Sequence, residues 1–581
     1  MFDLLDAHVA DSFVGRWFRL EGSGHPKERI GSRFTIEMRA GITTWAAMAY
    51  IISVNASIIA DSGGPCVCND PVDPACMSNV EYDLCLNEVR QELIISTAAI
   101  SALASFLMGF FANLPIGMAP GLGINAYFAY SIVGFHGTGR VSYAEALGAV
   151  FLEGWIFLFL SLIGLRQWLV RLMPQSLVLS VGAGIGLFIA FIGLARSGLG
   201  VIGGSTSTYL TIGGCRAEDW IDGMPGYCAR NALQSPTMWL GIFMGGVFTV
   251  LMMMYRVRGA ILIGILATSI ISWPRGTPVT FFPYNTEGDQ LFNYFKQVVT
   301  FKPLSRVANA LSFNYGNGQV WYALVTFLYV DILDTTGTVY SMAKFANLRD
   351  PITLDFERST VAYCVDAFSI SIGALLGVSP VTAFIESATG ISEGGKTGLT
   401  AIFTAIMFLV SVFFSPIFAS IPGWATGGAL VIVGSLMISN VREVNWAYIG
   451  DAVPAFITII MIPLTYNIAY GVIAGIGTYL VLNVIPWTLK KLSGGRIVPP
   501  NYDASEEWVV PPGGMMPYWM RKVLGRPTQR EETLAMEHPS MNGSHQHVSM
   551  DTIEQQDNIM KTPSINLELE KPITKSRSPH Y

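Results

Sequence analysis

Acidic side chains inside an apolar stretch are the residues of this chain best placed to do chemistry. Asp331 and Asp334 lie three positions apart in the otherwise apolar run from Val320 to Ala343. An ionised carboxylate in hydrocarbon is costly, so acids within a spanning helix usually face a polar cavity, where they bind or relay something. The pair therefore indicates a membrane protein that moves a solute.

Two threonines extend the acidic pair. Asp331, Asp334, Thr335 and Thr338 follow the i, i+3, i+4, i+7 spacing that places side chains on one helix face. We expect this face to look at a binding site. For Asp334 a second interpretation stays open, in which the residue only tethers a neighbouring helix through hydrogen bonds.

Two segments interrupted by glycine and proline predict broken helices. They read LPIGMAPGLGINAYFAY, residues 114–130, and LLGVSPVTAFIESATGI, residues 375–391. Each has a proline at the break and a polar residue five or six positions later, Asn125 or Glu386. Broken backbone at membrane depth is tolerated only where it is buried in protein or lines a cavity. The paired breaks favour a site near the midplane, with half-helix N-termini aimed at it, over kinks that serve packing alone.

The composition is that of a chain embedded in a lipid bilayer. Of its 581 residues 51% are apolar and 13% are charged, and the mean hydropathy is +0.46, which leaves too little charge to cover a soluble surface. A span needs about 20 mainly apolar residues. Fourteen candidate segments can be placed, some of them short or interrupted: 38–60, 92–113, 115–133, 141–165, 175–195, 237–255, 259–273, 319–343, 357–378, 380–392, 398–420, 424–439, 447–463 and 465–488. The predicted fold is an all-α polytopic membrane protein, and not an enzyme.

Fourteen spans divide as seven plus seven, and an odd number per half makes the second half insert upside down. The broken segments are then spans 3 and 10 of an inverted repeat. The predicted regions are a cytosolic N-terminal segment (1–37), a first seven-span repeat (38–273), an extracellular loop (274–318), a second, inverted repeat (319–489) and a disordered cytosolic tail (490–581).

Basic residues and cysteines predict the orientation. With the N-terminus in the cytosol, every predicted cytosolic connection carries Lys or Arg, so both termini are expected to be cytosolic. Six cysteines then fall in extracellular loops, where disulfides persist: Cys66, Cys68, Cys76, Cys85, Cys215 and Cys228. Their connectivity is not readable from sequence. A metal site is disfavoured because those loops contain no histidine.

The polar groups suit a neutral ring with N–H donors. Carboxylates accept from N–H groups, and Asn125 can both donate and accept, whereas an anion is repelled unless the acids take up protons. Tyr127 and Phe384 could stack on a planar ring, although core packing is the commoner role of such residues. We interpret Asp366 as orienting the neighbouring broken segment. For the lone polar residues Glu153 and Asn55, a helix tether fits as well as a function.

Four stretches together resemble the AzgA-like purine permeases. They are GMAPGLGINAYFAY (117–130), VGAGIGLFIAFIGL (181–194), YVDILDTTGT (329–338) and ESATGISEGGKTGLTA (386–401). The resemblance covers nearly the whole membrane region, and the N-terminal stretch GRWFRLEGSGHPKERIGSRF is similar to fungal members. It implies a plasma-membrane proton symporter for hypoxanthine, adenine and guanine, with the proton as coupling ion and no other cofactor.

The resemblance also implies an architecture and site residues. The core would comprise spans 1 to 4 and 8 to 11 and the gate spans 5 to 7 and 12 to 14, with elevator-like movement of the core, a homodimer and no nucleic-acid partner. Asn125, Asp331 and Glu386 match the family's substrate-site positions, and Asp334 matches an acid important for transport. Whether Asp331 or Asp334 carries the proton stays open.

Alternatives remain for the solute and the class. Uracil, xanthine or cytokinin-type purine derivatives are other substrates of the same chemistry. A channel would need a continuous polar path, and an anion permease should lack the acidic cluster. Residues 390–397, GISEGGKT, match the phosphate-binding pattern G-x-x-x-x-G-K-[ST], but that motif requires a preceding strand in a soluble α/β domain. We interpret it as a tight turn between apolar segments.

Overall fold

The computed structural model describes residues 2–68, 76, 79–163, 174–195, 198–203, 211–212, 220–221, 224–228, 235–348, 356–506 and 524. Within these residues the chain is overwhelmingly helical. The helices up to residue 300 are α1 (Phe2–Ala10), α2 (Phe13–Phe18), α3 (Phe34–Met48), α4 (Tyr50–Ala60), α5 (Val80–Leu107), α6 (Leu122–Ala126), α7 (Tyr143–Ile163), α8 (Gln175–Leu194), α9 (Pro236–Leu240), α10 (Thr249–Met254), α11 (Ala260–Ser272) and α12 (Thr286–Phe295). The helices after residue 300 are α13 (Gly318–Phe345), α14 (Ser359–Leu375), α15 (Ser387–Ser392), α16 (Gly398–Phe413), α17 (Ser415–Ala419), α18 (Gly423–Met437), α19 (Ile449–Thr465) and α20 (Ile468–Leu492).

Shorter elements complete the described chain. Wider π-helical turns lie at Met108–Ala112, Tyr127–Ile132 and Gly241–Phe248, and 3-10 turns at Phe135–Gly137, Ile438–Glu443 and Tyr502–Ala504. The strands are β1 (Met118–Pro120), β2 (Ile202–Gly203), β3 (Thr211–Ile212), β4 (Trp220–Ile221), β5 (Met224–Cys228) and β6 (Val381–Ala383). They form three two-stranded antiparallel sheets, β1 with β6, β2 with β3 and β4 with β5.

Each of the fourteen segments predicted from sequence overlaps either a helix or a strand followed by a short helix. Among the described residues, seven helical stretches are long and apolar enough to cross a membrane. They are Phe34–Ala60, Val80–Ala112, Tyr143–Ile163, Gln175–Leu194, Pro236–Met254, Gly423–Glu443 and Ile468–Leu492. The fold is therefore polytopic, while the crossing of all fourteen segments stays a prediction.

The second span is longer than predicted. Helix α5 begins at Val80 rather than near residue 92, because Asn79 caps it by accepting hydrogen bonds from the backbone N–H groups of Glu81 and Tyr82. Cys85 therefore lies within a helix, and placing it in a loop was wrong. A polar first stretch hid this helix from an argument based on apolar runs alone.

Four of the six predicted cysteines pair in the structure. Cys66 bonds to Cys85, which ties the end of the first span to α5, and Cys68 bonds to Cys76. Cys215 lies outside the described residues, and of Cys228 only the backbone in β5 is described.

The long helices pack as two groups. Helices α3 to α7 pack mainly with one another and with α13 to α17, whereas α8 to α11 pack mainly with α18 to α20. Small residues allow close approach within the second group: a Cβ on Gly186 of α8 would lie 2.8 Å from the carbonyl oxygen of Gly434 in α18. The assignment of the two groups as core and gate stays a prediction.

The two predicted breaks meet. Strands β1 and β6 pair antiparallel, with Met118 opposite Ala383 and Pro120 opposite Val381. Flanking bonds extend the pairing, because the N–H of Gly121 donates to the carbonyl of Pro380 at 3.0 Å and the N–H of Phe384 donates to the carbonyl of Gly117 at 3.1 Å. The breaks thus satisfy each other's backbone groups away from water.

The helices that follow the breaks are shorter than the predicted half-helices. Leu122–Ala126 continues as a π-helical turn through Ile132, and the second is only Ser387–Ser392. The first is buried over most of its length, and the second buries Ser387, Gly390 and Ile391.

The phosphate-loop-like sequence is a turn whose amides are already occupied. Gly394 adopts φ +100°, which glycine tolerates without strain, and α16 begins shortly after it. The carboxylate of buried Glu37 accepts hydrogen bonds from the backbone N–H groups of Lys396 at 2.9 Å and Thr397 at 3.2 Å, and from the hydroxyl of Thr400 at 2.5 Å. A side-chain carboxylate thus binds the amides that a nucleotide phosphate would need, which agrees with the turn interpretation.

The N-terminal segment packs against the same end of the first group. Arg19 pairs with Glu357, and Arg29 donates to the carbonyl oxygens of Asn113, at 2.7 Å, and Lys396. Burial raises the pKa of Glu357, but the hydrogen bond and charge of Arg19 outweigh that effect and lower the pKa to about 2. Glu357 therefore stays ionised at neutral pH, and the ion pair ties the N-terminus to the start of α14.

Replacing Glu37 should destabilise the protein without acting on substrate. Glu37→Ala leaves two buried N–H groups and the Thr400 hydroxyl without their acceptor, and we expect a loss of about 2–3 kcal/mol in stability. The measurement is thermal unfolding of the detergent-purified protein, with Glu81→Ala, at an exposed position, as the control. Equal melting temperatures for wild type and Glu37→Ala would contradict the anchoring role.

Candidate functional site

The acidic face of α13 lies against the second break. The hydroxyls of Thr335 and Thr382 are 3.0 Å apart, and Thr382 Oγ1 donates to Asp334 Oδ2 at 3.5 Å. Thr382 is the central residue of β6, so the helix face identified by its spacing looks at the paired strands. The structure thus brings Asp334 and Thr335 to the break.

The second break contributes one carboxylate of its own, that of Glu386. It immediately precedes α15 and is almost fully buried, and its charge interacts with that of Asp334. The hydroxyl of Tyr50 donates to Glu386 Oε1 at 2.7 Å. Glu386 and Asp334 therefore lie close together, with one oxygen of Glu386 fixed in place.

Sequence reasoning missed Tyr50 and Thr382. Tyr50 begins α4, directly after the bend at Ala49 that separates α4 from α3, and its side chain is buried. Nothing in the sequence marks this tyrosine, because its partner lies 336 positions away. Thr382 lies between the proline and the acid of the second break, and its place within that segment was the one available signal.

Asn125 belongs to a separate hydrogen-bonded group of polar side chains. Its side-chain N–H donates to Asn55 Oδ1, and Asn55 Nδ2 donates to Thr97 Oγ1 at 2.6 Å. All three side chains are fully buried, and Asn125 Oδ1 has no hydrogen-bond partner among the described residues. Asn55 thus links α4 to α5 and α6, and the amide oxygen of Asn125 is the atom available to a ligand.

Asp331 interacts electrostatically with two other buried acids. Its charge interacts with those of Asp366 on α14 and Glu153 on α7, and more weakly with that of Asp334. Thr335 Oγ1 lies 3.4 Å from Asp331 Oδ1. The predicted substrate acid Asp331 therefore belongs to a second group of carboxyls, connected to the first through Thr335.

The predicted aromatic contacts are part of the core around the site. Tyr127 is fully buried, and its ring lies 5.5 Å from that of Phe327 in an edge arrangement. Phe384 is 6% exposed and lies between β6 and Glu386. Thr338 is half-buried, one turn beyond Asp334 on α13. Of these residues, Phe384 is the nearest in sequence to Glu386.

Among the described residues no cationic side chain pairs with the acids of the site. None of the ion pairs found among the described residues involves Asp331, Asp334 or Glu386. The arrangement can therefore accept hydrogen bonds from N–H donors of a neutral ligand, and it disfavours an anion.

A large apolar cavity lies elsewhere. It has a volume of about 710 Å³ and lies between α13 and α20. Its lining includes Val325 and Ile332 from α13, Tyr479 and Trp487 from α20, and Glu506. Because it contains none of the carboxylates of the broken segments, it is distinct from the candidate site.

A polytopic helical fold with a buried, uncompensated carboxylate site at two broken spans defines a membrane transporter. Comparison with known proteins agrees. A family model described as a permease family, the xanthine/uracil permeases, matches residues 66–215 and 217–474. The chain is 55% identical over 525 residues to a putative xanthine/uracil permease of Schizosaccharomyces pombe, covering 89% of this chain and 83% of that one.

Two further relatives carry different names. An Aspergillus versicolor protein named as an efflux pump is 55% identical over 526 residues, covering 89% of this chain and 91% of the relative. The guanine/hypoxanthine permease PbuO of Bacillus subtilis is 34% identical over 454 residues, covering 77% of this chain and 90% of the relative. The chain belongs to this nucleobase permease family, as its motifs predicted, and it is a transporter rather than an enzyme.

The Tyr50–Glu386 hydrogen bond gives a test of the site. Tyr50→Phe keeps the ring and removes the donor, so we expect Glu386 to lose its orientation and the substrate KM to rise about tenfold, from the loss of about 1.5 kcal/mol. The measurement is initial uptake rate against substrate concentration at equal surface expression. Tyr130→Phe removes a similar bond, to Asp61 Oδ2 at 2.7 Å, outside the site and should leave KM unchanged. An unchanged KM in Tyr50→Phe would remove Tyr50 from the site.

Proposed function

We propose that this protein is a proton-coupled transporter that takes up the purine nucleobases hypoxanthine, adenine and guanine. The observation that carries the proposal is the carboxylate of Glu386 at the paired breaks. Tyr50 holds Oε1, so Oε2 is the oxygen we assign to an N–H group of the purine ring. No charge partner competes for it among the ion pairs of the described residues.

The neighbouring groups fit the rest of a purine. Asp334 and the hydroxyl of Thr382 lie beside Glu386 and can accept from or donate to the ring edge. The Asn125 amide would contact another edge of the ring, and Phe384 offers a face on which the ring could stack. A planar heterocycle with several donors and acceptors uses all these groups, whereas an inorganic anion uses none of the carboxylates.

The proposal includes coupling to protons. Several carboxyls at membrane depth without cationic partners are the groups through which a proton gradient can drive a neutral solute. Asp331 and Asp334 are the acids to which we assign the proton. Asp334 is near the substrate carboxylate, and Asp331 is connected to it through Thr335.

Movement of one helix group against the other supplies alternating access in this proposal. The broken segments belong to the first group, and Arg258, which precedes α11 of the second group, pairs with Glu393 at 2.6 Å. Such an ion pair would have to open when the groups slide in an elevator-type movement. Assembly as a homodimer in the plasma membrane with cytosolic termini completes the proposal.

A second candidate is export. It is favoured by the similarity to the Aspergillus versicolor protein that is named as an efflux pump. The same site would then load a heterocyclic compound from the cytosolic side. Release from preloaded cells, faster with the protein than without it under an inward proton gradient, would favour this direction.

The deciding experiment is uptake of radiolabelled hypoxanthine by cells that lack their own purine transporters. We expect wild type to accumulate the label against its gradient and a protonophore to abolish accumulation. Glu386→Gln, which keeps size and an acceptor for Tyr50 but loses the charge, should lower kcat/KM by about 10- to 150-fold, since hydrogen bonds to charged groups contribute about 1.5–3 kcal/mol. Surface expression is the control, and competition by adenine, guanine, xanthine, uracil and sulfate ranks the alternatives. Wild-type cells that accumulate no purine would refute the proposed function.

A further inference from the structure

Three buried carboxyl groups lie on helices that pack together behind the substrate site. Glu153 comes from α7, Asp331 from α13 and Asp366 from α14, and all three side chains are fully buried. Helix α7 packs against both α13 and α14, and the electrostatic influence of Asp366 reaches both Glu153 and Asp331. Three helices that are far apart in sequence thus converge on one acidic cluster.

Close packing holds Glu153 in this place. At the next residue, Gly154, a Cβ would lie 2.2 Å from Ser371 Oγ and 2.8 Å from the carbonyl oxygen of Ala367, so α7 and α14 nearly touch. The hydroxyl of Ser371 also donates to the carbonyl of Phe151 at 3.1 Å. The backbone of α7 beside Glu153 is thereby held against α14.

The carboxylate oxygens of Glu153 lack partners that a tether would have. Neither Oε1 nor Oε2 accepts a hydrogen bond from any described residue, and the same holds for Asp331 Oδ2. By contrast, the buried structural acid Glu92 accepts from the N–H groups of residues 305–307 and the Ser305 hydroxyl. A buried polar group without partners is costly, so a role as a simple helix tether does not account for Glu153.

Three negative charges cannot be held together in this environment. Burial of an unpaired charge in a low-dielectric region costs many kcal/mol, and like charges add to that cost. Among the described residues Glu153 and Asp331 form no ion pair with a Lys, Arg or His side chain. A proton on a carboxyl oxygen is the way to neutralise Glu153, whose two oxygens accept no hydrogen bond from any described residue.

Polar side chains connect this cluster to the substrate site. Thr335 Oγ1 lies 3.4 Å from Asp331 Oδ1 and 3.0 Å from Thr382 Oγ1, and Thr382 in turn contacts Asp334 at 3.5 Å. Asp334 is the acid on which the charge of Glu386 acts. The hydroxyls can reverse their donor and acceptor roles, so a change of charge at one end can be transmitted to the other.

We propose that Glu153 is a proton-holding residue of the transport cycle and shares the coupled proton with Asp366 and Asp331. The groups that face it are Asp331 and, further away, Asp334 on α13, and Asp366 on α14. Glu153 does not touch substrate; it acts through Asp331 and Thr335 on the site at the breaks. This inference rests on the proposed proton-coupled function and adds to it a residue on α7 that the site itself does not contain.

The first test separates coupling from binding. Glu153→Gln imitates the permanently protonated carboxyl, so we expect it to retain purine counterflow, the exchange of internal for external substrate. It should lose accumulation above the external concentration and the dependence of uptake on external pH. Glu145→Gln makes the same change near the start of the same helix, where Glu145 bonds to Ser142 and Asn314, and should behave as wild type. Concentrative, pH-dependent uptake by Glu153→Gln would overturn the proposal.

A second measurement does not require transport. Infrared spectra of the purified wild-type protein at neutral pH should show the C=O stretching band of protonated carboxyl groups. Glu153→Gln should reduce that band. Asp366→Asn replaces Glu153→Gln if that variant does not reach the membrane, and the same loss is expected. An identical band in wild type and variant would refute a proton at this cluster. If wild type transports no purine while the band behaves as expected, the purine assignment fails and the proton-holding cluster stands.

Discussion

Backbone hydrogen bonding within a low-dielectric interior is the constraint on which the rest of this structure depends. Two helices are interrupted inside the membrane region, and each interruption frees N–H and C=O groups that water cannot satisfy there. Strands β1 and β6 satisfy these groups by pairing with each other. The N–H of Gly121 also donates to the carbonyl of Pro380. The pairing joins opposite halves of the chain at one point. Asn125, Thr382 and Glu386 are brought into one region as a consequence.

The buried acids of this protein differ in role because they differ in partners. Glu37 accepts from two backbone amides and a hydroxyl and thereby anchors the start of α16. Glu386 has one tyrosine on one oxygen, and Glu153 has no hydrogen-bond partner among the residues described. A carboxylate surrounded by donors is held in one place and serves structure, whereas one with few donors remains able to exchange partners or protons. Donor number thus separates the anchoring acids from the site and from the cluster behind it.

Much of the site could be predicted from sequence because its signals are local. The spacing of Asp334 and Thr335 placed them on one face, and the glycine and proline content of two segments marked the breaks on either side. The early start of α5 was missed because its first turns are polar and its cap, Asn79, is a local signal that an argument from apolar runs ignores. Tyr50 was missed because a buried tyrosine in an apolar helix has no distinguishing pattern. The convergence of Glu153 with Asp331 was missed because each acid was considered within its own helix.

The sequence by itself determined the class of protein, the position of its apolar helices, the two breaks and the acids that could not be there for packing. These follow from composition and periodicity, since the cost of a polar group in hydrocarbon does not depend on which helix is its neighbour. Only the tertiary structure decided which acid faces which. It placed Asp334 against Thr382, Asp331 against Thr335 and Tyr50 against Glu386. Hydrogen bonds and charge interactions act over a few ångströms, and those distances are fixed by helix packing between residues hundreds of positions apart.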